Sequence, residues 1–238
     1  MQTLSPKCTH KSKICTIINL YQNFRLLTTK KTESIDSLLR DEEFNPSFER
    51  SANELIIGEN MKNNNQLILN LSDNEWPLEY IDHDRQIARA IAFDDEGYFY
   101  FVRVKRDDDF GKATCIETAG GGVEAGEDSD VAILRELEEE LGAVAEVLCK
   151  VGVVSDYYNL IHRHNINNYY LCKISAFGEK HMTKDEIESF HLSTLKLSFD
   201  DAVAEYERCA TTPLGRLIAN RELPVLMRAG ELLNLLNK

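Results

Sequence analysis

The sequence predicts an α+β protein, a mixed β-sheet held between helices as an α/β/α sandwich, and three observations predict it. Two runs, QIARAIAF (86–93) and YFYFVRVK (98–105), flank the turn Asp94-Asp95-Glu96-Gly97, and their length and aromatic content suit paired antiparallel strands in a hairpin. DVAILRELEEEL (130–141) repeats apolar residues at helical spacing. Asp128 or Ser129 is placed to cap that helix, and Gly142 to end it in the left-handed conformation. Finally, strand-like and helical segments alternate toward the carboxyl end, which places helices on both faces of one sheet.

The elements follow in order. Residues 1–65 are rich in Asn, Ser, Thr and Lys, with short apolar patches at Ile14 to Leu20 and Leu55 to Ile57. They read as a weakly ordered polar extension ahead of a domain at 66–238. Met61 is a second plausible start, so the first 60 residues read as an optional leader. After the hairpin, the polar loop RDDDFGK precedes a short strand, ATCIET, which leads into the glycine-rich stretch AGGGVEAGE and then the helix. VAEVLCKVGVV, NYYLCKISAF and LSTLKLS read as strands, and FDDAVAEYERC as a helix. The final segment from Pro213 is mostly helical, with Pro224 expected to break or restart it.

Composition excludes several classes. The net charge is −13, with 27 Lys and Arg against 40 Asp and Glu. Residues 1–60 hold 8 of each sign, so the whole excess lies in residues 61–238. Such a chain is a poor non-specific binder of nucleic acid, which requires clustered cations. No apolar run approaches the roughly 20 residues of a membrane span, so no membrane association and a cytoplasmic location are expected. The six cysteines are widely spaced and read as reduced thiols. Cys8, His10 and Cys15 lack a fourth ligand and close spacing, and are not read as a zinc site.

The chemistry concentrates in residues 121–143, GGVEAGEDSDVAILRELEEELGA. At about 100° per residue, Glu136, Glu139 and Glu140 share one helix face, beside an apolar stripe of Ile133, Leu134, Leu137 and Leu141. Like charges at these spacings repel, so their clustering makes physical sense where cations bind. Hard carboxylate oxygens suit Mg²⁺ or Mn²⁺. An isolated EEE run is usually only a solvated face; here Gly121, Glu127 and Arg135 accompany it at fixed spacing.

This pattern resembles the Nudix box, G-x5-E-x7-R-E-U-x-E-E-x-G-U with U a bulky apolar residue. Gly121, Glu127, Arg135, Glu136, Leu137, Glu139, Glu140 and Gly142 fit, while Ala143 is smaller than the usual last residue. With seven fixed identities at about 7% each, chance gives on the order of 10⁻⁸ per window. The resemblance implies a Nudix-type fold and an Mg²⁺-dependent pyrophosphohydrolase cleaving a phosphoanhydride of a small nucleotide-type substrate. It implies that Glu136 and Glu140 ligate metal, that Glu139 ligates or holds water at the metal, and that Glu127 and Arg135 orient them. Gly120 stands where the family often offers a backbone carbonyl as a further ligand. The family often takes its general base from outside the box; Asp185, Glu186 and Glu188 are available, with Glu186 the choice and an ordinary solvated carboxylate its alternative.

Substrate choice lies outside the box. Glu117-Thr118-Ala119-Gly120-Gly121 resembles the E-L-P-A-G run of ADP-ribose pyrophosphatases at Glu117 and Gly121 only, which points to ADP-ribose or a nucleotide sugar. Tyr157 or Tyr158 could meet a base, and His162, Arg163 or His164 a phosphate; tyrosines at such strand ends are also common in cores. Alternatives are a nucleoside triphosphate pyrophosphohydrolase, a Nudix-related ligand sensor that regulates transcription, and an isopentenyl-diphosphate isomerase. The acidic balance and intact carboxylates oppose the sensor, and no cysteine motif upstream supports the isomerase. A homodimer is compatible with the sequence.

Overall fold

The computed structural model describes residues 66–180 and 192–236. The strands are β1 (Leu67–Leu71), β2 (His83–Phe93), β3 (Phe99–Asp108), β4 (Gly111–Glu117), β5 (Ala119–Gly122), β6 (Ala143–Tyr158), β7 (Arg163–Phe177) and β8 (Ser193–Leu197). The helices are α1 (Ser129–Leu141), α2 (Phe199–Cys209) and α3 (Pro213–Leu236). Among the described residues the strands form one mixed sheet in the order β1-β6-β7-β2-β3-β4, with β5 paired to β2 and β8 to β3. β1 runs parallel to β6 and β2 parallel to β7; the other pairs are antiparallel. The mixed sheet between helices is therefore present as the sequence predicts.

The strand β2 shows why both faces are covered. Ala88, Ala90 and Ala92 alternate onto one face, where their small side chains admit Ala132, Ile133, Leu137 and Leu141 of α1 into a common core. The intervening Arg89 points the other way, toward Glu222 of α3. Of the predicted stripe on α1, Ile133, Leu137 and Leu141 are buried, but Leu134 is 37% exposed. Ala132 takes the inner position instead, because the helix turns its glutamate face, not Leu134, toward β5. Asp128 caps the helix without a side-chain hydrogen bond, and Gly142 closes it at φ 65° as expected.

Three further differences have physical reasons. The β2–β3 hairpin is paired only at its tip, Ala92 to Tyr100 and Phe93 to Phe99. Beyond the tip, β5 occupies the edge of β2, pairing Ile87 to Gly122 through Ala90 to Ala119. The glycine-rich stretch is thus partly a strand. Pro224 neither breaks nor restarts α3, which runs unbroken through it. The carbonyl that loses its partner is that of Asn220, four residues earlier on an exposed position, so the missing N–H does not leave a buried polar group unmet. The flanking Glu222, Leu223, Val225 and Leu226 are buried, and that packing outweighs the local cost.

Candidate active site

The Gly120–Gly122 end of β5 and one face of α1 meet edge to face. Gly121 pairs with Ala88 and faces α1 so closely that a Cβ there would lie 2.4 Å from Glu136 Oε1. Gly120 adopts φ +148°, and its amide donates to Glu140 Oε2 at 2.9 Å. A Cβ on Gly120 would stand 2.1 Å from the Ala88 carbonyl oxygen, so a side chain is excluded there. Two carboxylates are therefore seated against a strand stripped of side chains.

Arg135 organises the rest. Its Nε and Nη2 donate to the two carboxylate oxygens of Glu127 at 3.1 and 3.0 Å, its Nη1 to Glu136 at 2.8 Å and Glu139 at 3.2 Å, and its Nη2 to the Gly122 carbonyl at 3.1 Å. The Glu127 pairing first, and then Glu136, hold the guanidinium well above its ordinary range. The Arg135 hydrogen bond, followed by one from the Glu124 amide, holds the Glu127 carboxyl below the usual carboxylate range. Glu138, the free position of the run, is exposed. The sequence-predicted residues Gly120, Glu127, Arg135, Glu136, Glu139 and Glu140 are thus brought together. Among the described residues no three acidic, His or Cys side chains close into a finished cage, since Glu136 and Glu139 are drawn to Arg135 and Glu140 to the Gly120 amide. The donor set, hard oxygens beside side-chain-free backbone, fits Mg²⁺ or Mn²⁺. Glu186 lies outside the described residues.

The other candidates divide between the two faces of the sheet. Tyr157 stacks on His164 at 4.5 Å between ring centroids, and His164 bonds Asp84 through Nδ1 and Ser155 through Nε2, all on the α1 side. Tyr158 faces α3 and is buried; its hydroxyl accepts from Arg221 Nη1 at 2.9 Å, and burial pushes its pKa up to about 12. Tyr158 is accordingly a core residue. The Arg163 guanidinium stands 5.6 Å over the Tyr158 ring, and Tyr80 stacks on His162.

Sequence reasoning missed the charge network on the α3 side. Arg89 donates to Asn167 Oδ1 at 3.1 Å and to the Thr118 carbonyl at 3.2 Å, and pairs with Glu117 and Glu222. Arg221 bridges Glu117, Asp156 and Glu222 while only 1% exposed. Burial alone would raise the Glu117 carboxyl, but Arg89 and Arg221 hold it below the usual range. Glu117, whose position suggested ADP-ribose, is therefore bonded within the protein. The available signal was its company: a charged residue at the centre of an apolar strand, as Arg89 is in β2, requires a buried partner.

The family model of the NUDIX domain matches residues 84–208. The chain belongs to the NUDIX family. This NUDIX chain is 42% identical over 60 residues to a Haemophilus influenzae protein named 8-oxo-dGTP diphosphatase, a match spanning 25% of the chain and 43% of that relative, less than half its length. Among solved structures it is similar to a NUDIX hydrolase from Nitrosomonas europaea, with 15% identity, TM-score 0.46, and coverage of 60% of this chain and 90% of that one. It is also similar to a MutT NUDIX hydrolase from Burkholderia pseudomallei, with 24% identity, TM-score 0.41, and coverage of 50% and 86%. Among the described residues no helix is long and apolar enough to cross a membrane.

Proposed function

We propose that this chain is an Mg²⁺-dependent pyrophosphohydrolase, cleaving a phosphoanhydride bond in a nucleoside diphosphate linked to a second moiety, with ADP-ribose or a nucleotide sugar as the first substrates to try. The observation that carries the reading is the seating of Glu136 and Glu140 against Gly120 and Gly121, with Arg135 tying Glu127, Glu136 and Glu139 into one constellation. Glu136, Glu139 and Glu140 would hold the cation, with the Gly120 backbone beside them. A bound divalent ion supplies charge neutralisation of the diphosphate and activation of water. Arg135 fixes the carboxylates in place before substrate arrives, so little reorganisation is left for the reaction. The flat glycine strand lets a diphosphate approach the carboxylates closely. Arg163, at the same end of the sheet, is a phosphate contact in this reading. Residues 66–238 form the catalytic unit.

A nucleoside triphosphate pyrophosphohydrolase is the second reading, favoured by the name of the Haemophilus influenzae relative. A screen of nucleoside di- and triphosphate derivatives with Mg²⁺, with products identified, separates the two. On the best substrate, Glu140→Gln keeps an acceptor for the Gly120 amide but removes one anionic oxygen. The expected loss is about 10²-fold or more, near 3 kcal/mol of transition-state stabilisation. Glu138→Gln, on the exposed face, should cost little. Equal effects of the two substitutions would sink the assignment of this helix face.

A further inference from the structure

We propose that Asn165, flanked by Arg85 and Arg163, is a subsite that reads the hydrogen-bonding edge of the substrate's nucleobase. The inference rests on the reading of the chain as a nucleotide pyrophosphohydrolase and names a recognition residue for it. Placement comes first. β2 and β7 are parallel neighbours in the register Arg85 to Asn165 and His83 to Arg163, so Arg85, Asn165 and Arg163 share the α3 face. Gly122 joins this group to the carboxylates: a Cβ there would be 3.2 Å from Arg85 Nη2, while one on Gly121 would be 2.4 Å from Glu136 Oε1. The arginine and the carboxylate thus flank successive residues of β5 from opposite faces. A substrate lying across the end of β5 has both in reach.

Hydrogen-bond satisfaction comes second. Asn167, two residues along the same face, has its amide fully engaged: Oδ1 accepts from Arg89, and Nδ2 donates to the Val154 carbonyl and to Asp156 Oδ1 at 2.8 Å. Asn165 is 1% exposed, yet neither its Oδ1 nor its Nδ2 has a partner, and Arg163 Nε is buried and unpartnered beside it. An unmet buried amide destabilises a fold, and the same strand satisfies its neighbour; both polar atoms of Asn165 are therefore available to a ligand. A carboxamide presents one donor and one acceptor side by side, which a nucleobase edge complements. A phosphate offers acceptors only and would leave Oδ1 unmet. The phosphate belongs instead between Arg85 and Arg163, where burial first and then the Arg85 charge disfavour the Arg163 cation. The Asn165 amide is shut from water, so a base reaches it only as the side chains around it give way.

The test is equilibrium binding by calorimetry to the full chain in EDTA, using adenosine, guanosine, cytidine and uridine 5′-monophosphates against ribose 5-phosphate. At least one nucleotide should bind about tenfold or more tightly than ribose 5-phosphate. Asn165→Leu should bring that nucleotide down to the ribose 5-phosphate level and leave ribose 5-phosphate unchanged. Arg163→Gln should weaken both equally. Asn165→Asp, of the same shape but without the donor, should also abolish the preference, and it serves if the leucine variant does not fold. No preference in the parent chain, no nucleotide binding at all, or a preference that survives both Asn165 substitutions overturns the proposal. None of these measurements involves turnover, so they fail independently of the Glu140→Gln test of hydrolysis.

Discussion

Replacing Gly121 by alanine tests whether the carboxylates of α1 depend on a bare strand. The new Cβ would stand 2.4 Å from Glu136 Oε1 and 2.6 Å from its Cδ and Oε2. Ordinary contact needs roughly 3.5 Å, so the carboxylate must retreat by about 1 Å. It is not free to do so without loss, because Glu136 is buried and its Oε1 accepts from Arg135 Nη1 at 2.8 Å. A retreat of that size stretches the bond beyond the useful limit and moves a proposed metal ligand. The overpacking itself should cost about 1–3 kcal/mol of stability. Misplacing a catalytic group by about 1 Å costs on the order of 10²-fold in rate, near 3 kcal/mol of barrier. The assay is hydrolysis against Mg²⁺ concentration, with thermal unfolding in parallel. The variant should stay folded, need more Mg²⁺ and turn over more slowly. Activity within about threefold of the parent at the same Mg²⁺ requirement would refute the reasoning.

Ile133→Ala should lose about 3 kcal/mol in urea unfolding while Leu134→Ala loses about 1 or less, because only Ile133 is enclosed; equal losses would reverse the assignment of the helix face. Asp94 is expected to make stability fall in acid: burial alone would raise its carboxyl, but hydrogen bonds from Lys196 and Tyr100 lower it from 3.8 to about 2. Its contribution is complete above the unfolded value and is lost as pH falls toward 2. Asp94→Asn should therefore be about 1 kcal/mol less stable at pH 6, with the gap closing near pH 2; a gap that stays constant would remove the ion pair from the account. A chain beginning at Met61 should keep hydrolysis within about tenfold, or 1.4 kcal/mol, of the full chain. A larger loss with folding intact would give residues 1–60 a part in the activity.

How much was legible follows from how local each signal is. The helix of the box, its left-handed end at Gly142 and the common face of Glu136, Glu139 and Glu140 are set by spacing within one helix, and spacing is what a sequence displays. The conversion of Ala119–Gly122 into a strand was not legible, because glycines carry no strand propensity and the edge they occupy is vacated by β3 only in three dimensions. The opposite sides taken by Tyr157 and Tyr158 follow from strand alternation once β6 is known to reach Tyr158, four residues beyond the apolar run that announced it. Pro224 misled because the exposure of Asn220 is a tertiary property. Asn165 and Asn167 look alike in sequence, and only their partners separate them.

Two arginines, Arg89 buried and Arg135 half-buried, answer a problem that the glycines create. A segment such as Gly120–Gly122 has no side chains with which to anchor itself, and its backbone freedom works against a fixed position. It is instead pinned from opposite faces, at Gly122 and at Thr118 just ahead of β5. On the α1 side Arg135 Nη2 donates to the Gly122 carbonyl at 3.1 Å, and on the α3 side Arg89 Nη1 donates to the Thr118 carbonyl at 3.2 Å. Each arginine is locked by carboxylates, Arg135 by Glu127 and Glu136, and Arg89 by Glu117 and Glu222. Burying such charges is expensive, and apolar packing in their place would often be at least as stable. Apolar side chains, however, cannot donate to a carbonyl. The network on the α3 face thus does for one end of β5 what the box does for the other, and the position of the carboxylate seat depends on both.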